Sequence, residues 1–219
     1  MPSIKAFLFD LDGVIVDTAI YHYQAWKRLA NELGFDISEE FNERLKGVSR
    51  TESLEIILAH GGLVLSDEKK TELATQKNGW YLELVSRMTS DDILPGVATF
   101  FSQVRKAGLL TALGSVSKNA PMILERIGMT NAFDAIIDGT KISKGKPDPE
   151  VFTKGADELE VSPAECVVFE DAVAGVEAGK RAGMFVVGLG SSDVLTQADL
   201  VASSLENLTV EDVLTKASN

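Results

Sequence analysis

Two carboxylates one residue apart, Asp10 and Asp12, directly follow a segment at residues 4–9 that is apolar except for Lys5. Such a pair is costly to bury unless the acids are ionised, bound to a metal or sharing a proton. Residues two apart in an extended segment point the same way, so both carboxylates can face one substrate. Gly13 lets the chain turn sharply after them. One carboxylate could serve as a nucleophile and the other as a general acid and base.

A second acidic pair, Glu170 and Asp171, follows the apolar run at residues 166–169. Acids at the start of a helix are favourable even without a metal, which is one interpretation of this pair. However, four carboxylates at neighbouring strand ends would repel one another without a cation. Carboxylate oxygens are the ligands that Mg²⁺ prefers. We therefore predict a Mg²⁺ site at Asp10, Asp12, Glu170 and Asp171.

The segment at residues 114–119, Gly-Ser-Val-Ser-Lys-Asn, follows the apolar run at 109–113 and leads into a helix with Pro121 in its first turn. Its hydroxyl groups and backbone N–H groups could bind a phosphate. Capping of that helix by Ser117 or Asn119 is the simpler alternative for the segment taken alone.

A lysine that could neutralise these charges is Lys146, in the segment Lys-Gly-Lys-Pro-Asp-Pro at residues 144–149. The prolines on both sides of Asp148 hold this loop extended and restrict the position of the preceding lysine. There its charge would offset the clustered acids and a bound phosphate. For Lys144, two residues earlier, we predict a solvated side chain.

The elements that must position these residues alternate along the second half of the chain. Apolar runs lie at 109–113, 135–137, 166–169, 185–189 and 200–201, with amphipathic helices predicted near 97–107, 119–127, 149–159, 172–182 and 209–216. This alternation is typical of βαβ units and a parallel sheet. In such sheets ligands bind outside the carboxyl ends of the strands, where the acids lie. The predicted fold class is α/β, with a Rossmann-like parallel sheet.

Between the first strand and the others, the sequence has helical periodicity and almost no strand signal. Helices are predicted at 19–33, around 54–58, and from Ser66 to about 88. The first strand needs partners, which come only after residue 108. We therefore predict an α/β core domain at 1–16 and 91–219, with an inserted helical cap domain at 17–90.

Composition excludes several classes of protein. The net charge of −12 argues against nucleic-acid binding, which needs a basic surface. No stretch approaches the roughly 18 consecutive apolar residues of a membrane helix. The single cysteine, Cys166, excludes an internal disulfide and is predicted to be a buried structural thiol. We expect a cytoplasmic protein, and nothing in the sequence demands more than a monomer.

The four polar segments, in their order and spacing, resemble the four motifs of the haloacid dehalogenase superfamily of phosphotransferases. The resemblance covers residues 4–17 and about 93–190. In that family the first Asp becomes an aspartyl phosphate, which implies a nucleophilic Asp10. The dehalogenases themselves lack the second Asp, so Asp12 implies phosphoryl transfer. A helical insert after the first motif resembles the small cap domain that closes over the family's site.

Two segments of the insert, at 17–26 and 45–50, resemble the cap of the superfamily's mutases that act on β-glucose phosphates. This resemblance implies interconversion of β-D-glucose 1-phosphate and β-D-glucose 6-phosphate through β-D-glucose 1,6-bisphosphate. A bisphosphate needs a second phosphate site, and two cations around a glycine, Lys46 and Arg50, could form it. Ordinary surface charges are the alternative. Valine stands at position 116, where the family pattern leads us to expect alanine.

The same resemblance implies a set of site residues. Asp10 would carry the phosphoryl group, Asp12 would move the proton, and Ser115 and Lys146 would bind the transferring phosphate. Arg50, Ser117 and Asn119 would bind the distal phosphate. His22 and Lys77 would couple cap closure to the position of Asp12. The catalytic set is completed by Thr18, and the further substrate-binding residues are Trp26, Lys46, Gly47, Val48, Asn78, Val116 and Lys118. Mg²⁺ would be held by Asp10, the Asp12 carbonyl and Asp171, with Glu170 binding directly or through water.

Alternatives stay open at this level. A Mg²⁺-dependent sugar-phosphate phosphatase could use the same core, with Arg50 recognising a group other than phosphate. A non-catalytic binding protein would be expected to lose Asp10 or Asp171, and both are present. His22 could instead be a core histidine one turn from Trp26. His60, beside two glycines, is predicted to be a surface residue without a role.

Overall fold

The computed structural model describes residues 3–45 and 48–218 of the chain. Its strands are β1 (Ala6–Phe9), β2 (Leu110–Gly114), β3 (Ala135–Ile137), β4 (Cys166–Glu170), β5 (Phe185–Leu189) and β6 (Leu200–Ala202). Its α-helices are α1 (Ala19–Glu32), α2 (Glu39–Glu43), α3 (Arg50–His60), α4 (Asp67–Val85), α5 (Val97–Lys106), α6 (Ala120–Arg126), α7 (Glu150–Glu158), α8 (Val173–Arg181) and α9 (Val210–Ala217). Each predicted strand and helix is present, within a few residues at its ends.

The strands form one parallel sheet in the order β3-β2-β1-β4-β5-β6. Phe9, the last residue of β1, pairs with Leu113 on one side and with Phe169 on the other. Because the strands are parallel, their carboxyl ends meet at one edge of the sheet. Asp10 and Glu170 therefore lie side by side, at the point where the chain order reverses and a crevice forms. The predicted fold class is confirmed.

Alternation along β1 divides its side chains between two hydrophobic clusters, one on each face of the sheet. The rings of Phe7 and Phe9 lie on one face against Phe169, with centroids 5.0 and 4.6 Å away. Leu8 belongs to the opposite cluster together with Phe152. All are completely buried, which stabilises each by about 1.5–3 kcal/mol relative to an exposed side chain. The sheet edge that carries the acids is thus rigidly supported.

Helices α1 to α4, between β1 and β2, enclose a hydrophobic cluster of their own. Its buried members are Trp26, Leu29, Ala30, Ile37, Phe41, Leu45, Leu54, Ile57, Leu58 and Leu73. The two chain segments that lead into and out of these helices meet, because Val16 forms bridges with Asp12 and with Ile93. This separate cluster supports the predicted cap, whose boundaries at 17 and 90 stay a prediction.

One helix of this region was absent from the sequence prediction. Helix α2 spans five residues, and its first turn is capped by Ser38, whose side chain accepts a hydrogen bond from Phe41 N. A helix of little more than one turn is too short to show a periodic pattern of apolar residues. Its Ser-Glu-Glu start was the available signal.

Two expectations from composition concern a buried cysteine and the absence of a membrane-spanning segment. The Cys166 side chain is buried, and burial raises the pKa of its thiol to about 12, so it is a structural thiol as predicted. None of the helices in the described ranges is long and apolar enough to cross a membrane.

Candidate active site

The acids that follow β1 and β4 converge at the edge of the sheet. Asp10, Glu170 and Asp171 each offer a carboxylate oxygen, and these oxygens lie within 4.8 Å of one another. Asp10 and Glu170 are buried, and Asp171 is partly exposed. Gly13 has a φ of +75°, and a Cβ at this position would collide with the Asp171 carboxylate. Only glycine therefore lets the loop after Asp10 pass this close to Asp171.

Lys146 lies beneath this cluster and joins two of its members. Its Nζ donates to Asp10 Oδ1 and to Glu170 Oε1, both at 2.5 Å. The amine also lies 4.8 Å from the centroid of the Phe152 ring. Burial alone would lower the pKa of Lys146, but Asp10 and Glu170 together raise it above its ordinary value. The lysine is therefore a fixed positive charge, as the sequence led us to expect.

The Glu170 side chain is completely buried and does not line the cavity. Besides Lys146, it accepts a hydrogen bond from Ala172 N at 3.0 Å. A Cβ at Gly175 would collide with its carboxylate, so the glycine of α8 provides the space that Glu170 occupies. Burial raises the pKa of Glu170, and Lys146 opposes that shift. These contacts leave Asp10 and Asp171 as the carboxylates of the cluster that line the cavity.

Asp12 also lines the cavity, but its carboxylate bonds to a hydroxyl group and not to Lys146. Thr18 Oγ1 donates a hydrogen bond to Asp12 Oδ1, and the Tyr81 hydroxyl donates to Thr18 Oγ1 at 3.1 Å. Burial, followed by the neighbouring charge of Asp10, raises the pKa of Asp12 to about 7. A carboxyl group with this pKa can both accept and release a proton near neutral pH.

Helices α1 and α4 place a histidine and a lysine against each other. Lys77 Nζ lies 2.7 Å from His22 Nδ1, and it lies 4.3 Å from the centroid of the Trp26 ring. Burial lowers the pKa of Lys77 well below its ordinary value, and the charge of Arg50 adds to this shift. Burial also lowers the pKa of His22, followed by the charge of Lys77. His22 is thus partly a packed residue, as the alternative interpretation held, and it also lines the cavity.

Arg50 is the first residue of α3, directly after a capping box in which Ser49 and Glu52 bond to each other's backbone N–H groups. This cap fixes the start of the helix and with it the position of Arg50. Arg50 lines the cavity, and burial lowers the pKa of its guanidinium group. No carboxylate of the described ranges forms an ion pair with it.

The segment after β2 turns its hydroxyl groups toward the same space. Ser115 is buried and its Oγ accepts a hydrogen bond from Ser117 N at 3.1 Å. Ser117 Oγ accepts a hydrogen bond from Asn119 N at 3.2 Å. Asn119 is the N-cap of α6 and forms no side-chain cap hydrogen bond, so the alternative of helix capping is wrong. Asn119 Nδ2 donates to Asn78 Oδ1 at 3.0 Å, which joins α4 of the cap to the core.

These residues surround one cavity of about 1350 Å³ between the sheet edge and the cap helices. Of the predicted site residues, its lining includes Asp10, Asp12, His22, Trp26, Val48, Arg50, Lys77, Ser115, Val116, Ser117, Lys118, Asn119 and Asp171. Thr18, Asn78 and Lys146 lie behind the lining and form hydrogen bonds with residues in it. Glu170 also lies behind the lining, where it bonds to Lys146. Lys46 and Gly47 lie outside the described residues.

Lys144 and His60 are exposed, as the sequence predicts, and one further residue of the site was missed. Lys144 is exposed and pairs with Asp148 at 3.4 Å, and His60 is exposed at the last position of α3. Tyr81 is absent from the predicted site residues, although its hydroxyl donates a hydrogen bond to Thr18 Oγ1. Its position one helical turn after Lys77 was the available signal.

A model of the haloacid dehalogenase-like hydrolase family matches residues 4–183. The chain belongs to this family. Among haloacid dehalogenase-like relatives, the β-phosphoglucomutase of Bacillus subtilis (strain 168) is 46% identical over 210 residues, which cover 95% of this chain and 93% of the relative. Hexitol phosphatase A of Escherichia coli (strain K12) is 32% identical over 212 residues, which cover 94% of both chains.

A solved haloacid dehalogenase-like structure has nearly the same fold. It is the crystal structure of β-phosphoglucomutase from Clostridium difficile, which matches with a TM-score of 0.95 and 44% sequence identity. The match covers 98% of this chain and 97% of that one. The similarity therefore extends beyond the sheet and includes the helices over it.

Proposed function

We propose that this protein is a β-phosphoglucomutase that interconverts β-D-glucose 1-phosphate and β-D-glucose 6-phosphate through β-D-glucose 1,6-bisphosphate. The observation that carries this proposal is a single cavity lined both by acids of the sheet edge and by a cation of the helices over it. Asp10 and Asp12 line it on the core side, and Arg50 of the cap lines it as well. A phosphatase needs one phosphate site, whereas a mutase must hold a phosphate at each end of the same sugar. The 46% identity to the Bacillus subtilis enzyme over nearly the whole chain supports the same assignment.

The carboxylates of the core fit the Mg²⁺ ion that such chemistry uses. Three acidic side chains offer oxygens within 4.8 Å of one another, and oxygen-only ligand sets are those Mg²⁺ prefers. We propose that Asp10, Asp171 and the Asp12 carbonyl hold the ion, with Glu170 acting through water because Lys146 and Ala172 already engage its carboxylate. When bound, Mg²⁺ would neutralise negative charge on the transferring phosphate.

In the proposed reaction, Asp10 accepts the phosphoryl group and Asp12 moves the proton. An Asp10 carboxylate oxygen forms a bond to phosphorus as the bond between phosphorus and the sugar oxygen breaks. Asp12 gives its proton to the leaving sugar oxygen. In the return step, Asp12 takes the proton from the other sugar hydroxyl as that oxygen attacks phosphorus and releases Asp10. The pKa of about 7 suits Asp12 to both directions.

The remaining residues would orient the substrate and neutralise its charge, which is most of what phosphoryl transfer asks of a protein. Ser115 and Lys146 would bind the transferring phosphate. Arg50, Ser117 and Asn119 would bind the distal phosphate. The sugar would lie against Trp26, Val48, Val116, Lys118 and Asn78. Lys46 and Gly47, outside the described residues, keep their predicted substrate-binding role as a proposal.

The cap would keep water from the aspartyl phosphate and so prevent its hydrolysis. We propose that residues 17–90 form this cap domain and that His22 and Lys77 couple its closure to Asp12. The proposed setting is a cytoplasmic monomer, as expected from the sequence.

Incubation with β-glucose 1-phosphate, Mg²⁺ and a trace of the 1,6-bisphosphate tests the proposal. Glucose 6-phosphate should accumulate from the β anomer and not from the α anomer. Release of inorganic phosphate without glucose 6-phosphate would contradict it. That outcome would favour a sugar-phosphate phosphatase, the activity named for the relative from Escherichia coli.

A further inference from the structure

Tyr81 is completely buried where the cap helix α4 meets the loop that carries Asp12. Its hydroxyl donates to Thr18 Oγ1 at 3.1 Å, and the Thr18 hydroxyl donates to Asp12 Oδ1. We propose that Tyr81 is a positioning residue that orients the Thr18 hydroxyl and thereby holds the Asp12 carboxylate in place for proton transfer. This inference rests on the proposed function, in which Asp12 moves the proton.

The direction of the two hydrogen bonds carries the argument. A threonine hydroxyl has one proton and can both donate and accept. Because Tyr81 donates into the Thr18 oxygen, the single Thr18 proton is left for Asp12. A hydroxyl that accepts a hydrogen bond is also polarised into a better donor. Without the Tyr81 hydroxyl, Thr18 would be free to rotate toward another partner, and Asp12 would lose a fixed donor.

The surroundings of Tyr81 hold its hydroxyl in this role. The ring stacks on His22, with centroids 4.0 Å apart and planes 27° apart. It belongs to the same buried cluster as Val14 and Ile15 of the loop after Asp12 and Val85 of its own helix. Burial, followed by the charge of Asp12, raises the pKa of Tyr81, so the phenol remains a proton donor at working pH.

The position of Tyr81 also connects Asp12 to the substrate side of the cap. Lys77 lies one turn earlier on α4 and lines the cavity, while Tyr81 reaches Thr18 from the same helix. A movement of α4 relative to the core would therefore change both the cavity wall and the donor chain to Asp12. The replacement Tyr81→Phe removes only the hydroxyl group and keeps the ring.

A double-mutant cycle between Tyr81→Phe and Thr18→Val tests the proposal, with kcat, KM and thermal midpoint measured for each variant. Tyr81→Phe should lower kcat about fivefold to tenfold, as the loss of one hydrogen bond implies, and leave KM within about twofold. In the Thr18→Val background, Tyr81→Phe should have no further effect on kcat. Thr18→Ser, which keeps the hydroxyl, should retain most of the activity.

Tyr23→Phe is the matched control, because that hydroxyl contacts Ile37 O and Lys27 and not the Asp12 chain. It should leave kcat unchanged and shift the thermal midpoint about as much as Tyr81→Phe. If the two replacements lowered kcat independently, so that their effects multiplied in the double variant, the role of Tyr81 would be overturned. A changed KM with an unchanged kcat would overturn it as well. If the wild-type protein releases only inorganic phosphate, the proposed function fails. The same cycle is then scored on phosphate release, since Asp12 would serve that reaction too.

Discussion

Lys146 at the strand ends of the core and Lys77 between the cap helices are both almost completely buried, with 2% and 1% of their surface exposed. Their surroundings are opposite. Lys146 contacts two carboxylates at 2.5 Å, and the pKa of its amine is raised. Lys77 contacts a histidine and two aromatic rings, and burial lowers its pKa.

The difference shows which half of the site is complete before substrate arrives. On the core side, the positive charge is already matched by acids of the same chain. On the cap side, neither Lys77 nor Arg50 forms an ion pair with a carboxylate of the described residues, and the charge of Arg50 lowers the pKa of Lys77. An anion in the cavity would supply the missing partner. This contrast supports the proposed division, in which the core carries out the chemistry and the cap binds a phosphate.

The largest effect is expected for Asp10→Asn, which keeps the shape of the nucleophile and removes its reactivity. Turnover of β-glucose 1-phosphate should fall by about 10⁴-fold or more, as removal of a nucleophile does in other enzymes. Mass spectrometry after incubation with the bisphosphate should find no phosphorylated protein. Asp193→Asn, an exposed carboxylate, is the matched control. Retention of more than 1% of the activity would contradict the role of Asp10.

Lys146→Met tests the core side of the comparison by leaving Asp10 and Glu170 buried without their counter-charge. The free energy of unfolding in urea, without divalent metal, should fall by about 3–5 kcal/mol. Lys144→Met, an exposed lysine two residues away, should change it by less than about 0.5 kcal/mol. Equal losses in the two variants would show that the buried ion pairs do not matter to the fold.

Arg50→Ala tests the phosphate site of the cap. The KM for the bisphosphate should rise about 10-fold to 100-fold, because hydrogen bonds to charged groups contribute about 1.5–3 kcal/mol each. The free energy of unfolding should stay within about 1 kcal/mol of the wild type, since Arg50 forms no ion pair in the described chain. Arg44→Ala, an exposed cation that lies over the Phe41 ring, is the control and should leave KM unchanged.

Lys77→Met should have the opposite sign from Lys146→Met. The replacement removes an amine whose charge is disfavoured by burial, so the free energy of unfolding should rise by about 1–2 kcal/mol. Turnover should fall, because the cap loses a cation that faces the substrate. A loss of stability similar to that of Lys146→Met would mean that the two buried lysines are held in the same way.

Burial also disfavours the charged form of His22, whose pKa is lowered in the folded chain, so stability should depend on pH. Between about pH 6.5 and the lower folded value, the unfolded state binds the extra proton, so acid favours unfolding. From pH 7 to pH 5, the wild type should therefore lose about 1 kcal/mol more stability than His22→Asn does. Urea unfolding at the two pH values measures this. His60→Asn, at an exposed position, should lose as much stability between pH 7 and pH 5 as the wild type does.

The acids of the core half of the site could be predicted from the sequence because they follow apolar strands. The runs that end at Phe9 and Phe169 are bounded by polar residues, and the topology of parallel strands brings their ends together. The convergence of Asp10 and Glu170 followed from this, and so did the prediction of a Mg²⁺ site. The sequence predicts that Lys146 neutralises the acids. It does not predict which acids the lysine contacts, because Lys146 lies on a loop 24 residues before Glu170.

The cap half was harder to predict from single residues. An aromatic residue on an amphipathic helix, such as Tyr81, is typical of a core position, and the partner of its hydroxyl depends on how α4 packs on the loop after Asp12. The short helix α2 has no periodicity to detect. The contact of Lys77 with His22 joins residues 55 apart in the chain, and only the resemblance to known caps suggested it.

The most direct test of this division is the fate of the phosphorylated enzyme. Protein phosphorylated on Asp10 by acetyl phosphate is mixed with β-glucose 1-phosphate or with buffer, and ³¹P NMR follows the products. The phosphoryl group should move to the sugar, giving β-glucose 1,6-bisphosphate, and this should be at least about 100-fold faster than its release to water. Release of inorganic phosphate at the same rate with and without the sugar phosphate would contradict a cap that selects the sugar hydroxyl over water.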